Sequence, residues 1–174
     1  TWEKLWQFAP MAKIWDRLWV ERQLSITGLG VIEGGDSQRV VITSGRSVVS
    51  VDAKDGTEQW RFSAPRALGQ MTTVADLNGD DTDEVFVGSD DGSLYLLSGK
   101  TGEAQWRTKL PKRSVNGEVI ESAADDILPL DRAAGRVAVV SRDGLARIFD
   151  LRNRTVEWAV SVSDDRINGW RIAL

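Results

Sequence analysis

Short apolar runs separated by turn-forming residues recur along this chain. Arg39–Thr43 and Ser47–Asp52 flank a Gly45, Val85–Gly88 and Leu94–Leu97 flank Asp90-Asp91-Gly92, and Val137–Ser141 and Leu145–Asp150 flank Asp143-Gly144. Runs of this length, rich in β-branched and aromatic residues and bounded by Gly and Asp, predict antiparallel hairpins. Ahead of the first hairpin, Ile26–Ile32 predicts another strand, and Glu58–Phe62 predicts one after it. The result is a four-stranded unit that returns twice more.

The tryptophans give the register. Trp60 follows Asp52-Ala53-Lys54-Asp55-Gly56-Thr57-Glu58-Gln59, and Trp106 follows Ser98-Gly99-Lys100-Thr101-Gly102-Glu103-Ala104-Gln105. Gly56 and Gly102 each stand four residues before their Trp, where a tight turn needs a positive φ. Trp158 ends a third copy whose turn is Asn153-Arg154, with Asn153 expected to take the left-handed conformation. Trp60, Trp106 and Trp158 stand 46 and 52 residues apart. That period, with four short strands per copy, predicts propeller blades. These three tryptophans and Trp6 are expected in the core between blades, since their spacing follows the blade.

The expected fold is therefore all-β, a propeller segment of about three four-stranded antiparallel blades. The blades span 25–63, 70–109 and 120–162, with residues 1–8 as the last strand of a preceding blade and 167–174 as the first strand of a following one. An arc of this kind leaves strand edges and blade faces open, which predicts a segment of a larger ring or closure by another chain. Between 10 and 24 the period changes: Met11, Ile14, Trp15, Leu18 and Trp19 fall on one helical face, with Pro10 near the first turn. That inserted amphipathic helix either packs on the ring or uses Trp15 and Trp19 to meet a partner or a membrane surface.

Composition narrows the chemistry. With 174 residues, 41% hydrophobic and 28% charged, the chain has the make-up of a soluble globular domain, and no apolar run reaches the length of a membrane span. A net charge of -4 opposes nucleic-acid binding, which needs a basic face. Zero Cys and zero His remove thiolate and imidazole ligands and the commonest nucleophile and base pairs. Any metal must be a hard cation held by oxygen. No catalytic residues and no organic cofactor are expected, so the chain reads as a non-enzymatic interaction or scaffold module.

The Asp, Lys, Gly and Trp spacing of Asp52–Trp60 resembles the blade motif of pyrroloquinoline-quinone enzyme-like propellers. The loop Asp76-Leu77-Asn78-Gly79-Asp80, followed by Glu84-Val85-Phe86-Val87-Gly88, resembles the calcium-binding repeat of integrin α-subunit propellers and their bacterial relatives (FG-GAP repeats). The first resemblance implies a Trp wedged between blades and, as an alternative function, a quinoprotein dehydrogenase ring. The second implies calcium.

In that loop Asp76, Asn78 and Asp80 occupy positions 1, 3 and 5, Thr82 can offer its carbonyl at 7, and Glu84 can close the set at 9. The family pattern has Gly at position 6 and Asp at 9, where this chain has Asp81 and Glu84; Asp tolerates a left-handed backbone. The alternative is an acidic turn whose side chains cap their own backbone. Five carboxylates within residues 76–84 repel one another without a cation, and the sister blades carry Arg39 and Arg136 where this one has Glu84. The expected ion is structural. A protein partner or further blades, an extracellular sensor or carbohydrate-binding role as alternative, and a periplasmic or cell-surface location complete the expectations; calcium is millimolar outside the cell.

Overall fold

The computed structural model describes residues 26–115, 117–120 and 122–162. Among the described residues all regular structure is strand. The first sheet holds β1 (Ile26–Ile32), β2 (Arg39–Ser44), β3 (Ser47–Asp52) and β4 (Glu58–Ser63). The second holds β5 (Leu68–Val74), β6 (Glu84–Ser89), β7 (Ser93–Leu97) and β8 (Ala104–Lys109). A small hairpin, β9 (Arg113–Val115) and β10 (Glu118–Ile120), precedes the third sheet of β11 (Ala124–Asp131), β12 (Arg136–Ser141), β13 (Leu145–Asp150) and β14 (Thr155–Ser161). Each large sheet is an antiparallel meander in sequence order.

The repeat extends to the irregularities. In every sheet the pairing of third and fourth strands slips at one place, between Ser50 and Val51, between Leu96 and Leu97, and between Ile148 and Phe149. Gln59, Gln105 and Glu157 are the extra residues, each directly before the Trp of its blade. A bulge re-aims the side chain beside it, here the tryptophan.

The sheets stack face to face with first strands innermost, and β5 lies against both β1 and β11. Strand alternation then divides the middle sheet. Val85, Val87, Tyr95 and Leu97 pack toward Ile32, Val41, Val48 and Trp60 of the first sheet. Phe86, Leu94 and Leu96 pack toward Val137, Val139, Phe149 and Leu151 of the third. Burial on both faces explains why β6 and β7 are apolar almost throughout instead of alternating with polar residues.

The three large sheets run over Ile26–Ser63, Leu68–Lys109 and Ala124–Ser161. The polar connection at 111–118 folds into the β9–β10 hairpin, around Gly117 at φ 83. Two expectations need correction. The left-handed residue of the third blade's turn is Arg154 (φ 60), while Asn153 binds Asp150 through its amide groups. The bulge fixes the distance from turn to Trp, so the positive φ falls four residues before Trp158 whatever side chain stands there. The tryptophans also do not share one environment. Trp60 is buried, Trp106 is half-buried, and Trp158 is 50% exposed because no described sheet lies over β14. The expected helix over 10–24, with Trp15 and Trp19, and the expected strands at 1–8 and 167–174 lie outside the described residues.

Candidate metal centre

The loop from Ala75 to Asp83 joins β5 to β6 at one end of the stack. Asp76 organises it. Its Oδ1 accepts from the amides of Asn78 (3.1 Å), Gly79 (2.6 Å) and Asp80 (3.3 Å), and its Oδ2 from Asp81 (2.8 Å). The chain can turn this tightly because Gly79 (φ 84) and Asp81 (φ 63) both take the left-handed region. Asn78 is exposed and bonds back to the loop: its Nδ2 donates to Asp80 Oδ2 at 3.2 Å, and its Oδ1 accepts from Asp80 N at 2.8 Å.

Three of the five expected site residues bring carboxylates together. One oxygen each from Asp76, Asp80 and Glu84 lies within 4.8 Å of the others. Oxygens that share a calcium ion at about 2.4 Å stand no more than about 4.8 Å apart, so the set fits a hard cation. Glu84 is fully buried, and its Oε2 accepts from Leu77 N at 2.6 Å while its Oε1 has no hydrogen-bond partner. Asp80 Oδ1 and the Thr82 hydroxyl are likewise buried without partners. Unpaired buried acceptors of this kind are uncommon and call for an explanation. A cation would supply one.

The electrostatics agree. Burial above all, then the charges of Asp76 and Asp80, push the Glu84 carboxyl up to about 7, against the hydrogen bond from Leu77 N. Gln105 adds a weaker favourable interaction without a hydrogen bond of good geometry. Burial also opposes ionisation of Asp76, but the amides of Asp81, Gly79, Asp80 and Asn78 outweigh it and hold that carboxyl below the usual range.

The sister blades solve the same position differently. Arg39 is buried and donates from Nη1 to the carbonyl of Gly99 at 2.9 Å, on the next blade. Arg136 pairs with Glu157 at 2.6 Å near the surface. Sequence reasoning missed a second charged site. Asp143, in the β12–β13 turn, is fully buried and binds Arg147 through both carboxylate oxygens, with Ser122 (3.0 Å) and Ser141 (2.7 Å) donating to it. The signal was available, because Arg147 stands where the other blades carry Val49 and Tyr95.

A family model described as outer membrane protein assembly factor BamB matches residues 16–171. Among curated proteins, a λ-carrageenase of Pseudoalteromonas sp. is 27% identical over 109 residues, covering 62% of this chain and 11% of that enzyme. The structure of Sqt1 from Saccharomyces cerevisiae matches with a TM-score of 0.67 at 12% identity, covering 81% of this chain and 40% of that one. The β-propeller domain of Cps50 (Swd1) from Myceliophteria thermophila matches with a TM-score of 0.61 at 14% identity, covering 84% and 45%. At such identities the two structures establish the fold alone: the sheets are β-propeller blades. The chain spans a small part of the enzyme and less than half of either structure.

Proposed function

Because the chain belongs to the pyrroloquinoline-quinone-like repeat family described as outer membrane protein assembly factor BamB, we propose that it is a non-enzymatic propeller module that binds other proteins. Its three described blades form part of a larger ring. One observation carries this reading: apart from Val119 and Leu130, the exposed large apolar side chains among the described residues gather at the two ends of the arc. Ile26, Leu29 and Val31 lie exposed on β1, and Val156, Trp158, Val160 and Val162 on or just after β14. The residues equivalent to Val162 are Ala64 and Leu110, which are 1% and 4% exposed under the following blade, whereas Val162 is 56% exposed. Apolar faces of this character mark where another sheet or protein packs.

Within this module the acidic loop holds a structural calcium ion through Asp76, Asp80 and Glu84, with Asn78 and Thr82 completing the loop. The ion would neutralise their mutual repulsion and satisfy Asp80 Oδ1 and Glu84 Oε1. The family description, which speaks of outer membrane protein assembly, and a calcium loop both favour an extracytoplasmic site of action. The λ-carrageenase relative favours a second reading, a polysaccharide-associated module.

Sedimentation of the purified chain tests the first reading. Association through the end faces is expected, together with binding of an apolar dye, and both fall in the Leu29→Lys, Trp158→Glu variant. A stable monomer that binds no dye overturns it. Retardation in a gel cast with λ-carrageenan would favour the polysaccharide instead. Calorimetry with calcium against Asp76→Ala, Asp80→Ala tests the ion, and equal heats would remove it.

A further inference from the structure

The loop that gathers the carboxylates also fastens three blades to one another. Asp83 N donates to Glu33 O at 3.0 Å, Glu33 N returns a bond to Asp83 Oδ2 at 3.3 Å, and Thr82 forms a bridge with Gly34 of the first blade. The fit is close: a Cβ on Gly34 would stand 2.0 Å from the Asp81 carbonyl oxygen. From the other side, Arg132 of the third blade donates to Asp83 Oδ2 at 2.7 Å, and its own carbonyl accepts from Ala75 N at 3.0 Å. Both ends of the loop, Ala75 and Asp83, are thus tied to neighbouring blades; Asp76 and Asp80 lie between them, and Glu84 follows directly as the first residue of β6.

We propose that a calcium ion bound at Asp76, Asp80 and Glu84 acts as a clasp whose occupancy sets how tightly the first and third blades dock on the second. The inference rests on the calcium reading above. Beside the gathered carboxylates stands a second observation: Glu84 is fully buried and its Oε1, like Asp80 Oδ1 in the same cluster, has no hydrogen-bond partner. Without the ion, the crowded acidic groups within 4.8 Å of one another keep buried oxygens unsatisfied at Asp80 and Glu84, and the loop relieves both by opening to water. Opening moves Thr82 and Asp83, which carries away the partners of Gly34, Glu33 and Arg132. Coupling between an ion site and its neighbours through two-state contacts of this kind is commonly worth roughly 5- to 150-fold in an equilibrium constant.

Hydrogen exchange with and without calcium chloride tests the clasp on the whole chain. Calcium is expected to slow exchange about tenfold or more in peptides covering 30–36 and 129–136 as well as 75–84. The isosteric Asp80→Asn variant should lose all three effects. Arg132→Met should lose the effect at 129–136 while the calorimetric heat of calcium binding persists. If calcium binds but protection stays within 75–84, the clasp is wrong and the ion stands. If calcium gives no heat, the metal reading fails and the clasp with it.

Discussion

The seam between the first and second blades and the seam between the second and third use the same strands in the same register, yet they close differently. In the first, the Trp60 ring lies flat on bare backbone: a Cβ on Gly102 would stand 2.5 Å from the ring, and Trp60 Nε1 donates to Gly99 O at 2.7 Å. In the second, the equivalent turn carries Leu151 and Arg154. A turn with side chains at both positions offers no bare backbone to a ring, so Trp106 stays half-buried, edge-on to Phe149 at 6.4 Å. The connection also lengthens into the β9–β10 hairpin, and the third blade's interior takes the Asp143–Arg147 pair in place of an apolar residue. The repeat specifies the sheets, while each seam is closed by the few residues that differ between copies.

The largest break of this contrast comes from Arg147→Met, which strands Asp143 without its cation. Removing one partner of a buried pair costs about 3–5 kcal/mol, to be read from urea unfolding. The same pair gives acid sensitivity. Burial would raise the Asp143 carboxyl, but the hydrogen bonds of Arg147 and Ser141 outweigh it and hold the folded value below the ordinary aspartate value. Its stabilisation is therefore present above that value and lost as pH falls through the lower folded one, so urea midpoints should drop below about pH 4. Next comes Gly102→Ala, which drives a methyl into the Trp60 ring at φ 75. Overpacking and the left-handed backbone together cost about 2–4 kcal/mol, with Trp60 fluorescence moving to the red. The smallest effect sharpens the comparison instead of breaking it: Arg154→Gly relieves a left-handed residue and clears the turn, gaining about 1 kcal/mol and shifting Trp106 fluorescence to the blue.

Periodic features were legible in the sequence, and one-off features were not. Strand limits at Ile26–Ile32, Ser47–Asp52 and Leu145–Asp150 follow from apolar runs and turn residues that each blade restates. The positive φ at Asp81 followed from its place in the loop. Residue preference points to Asn153 for the left-handed position, whereas the bulge dictates Arg154. The period of Trp106 places it in the core and the missing glycine at Asn153-Arg154 is visible in the sequence, but that this turn receives the Trp106 ring is visible only in the packing. Of the acidic loop, the turn and the convergence of Asp76, Asp80 and Glu84 were legible; the bonds from Asp83 to Glu33 and Arg132, which span 50 and 49 residues, have no local signature.

Arg154 bears on how such an arc could lengthen in evolution. Tandem duplication of the second blade would supply each new Trp with a glycine turn to rest on, so that unit could multiply without further adjustment. A duplicate of the third blade would meet the indole ahead of it with a guanidinium, and lineages adding that unit would first have to lose the arginine.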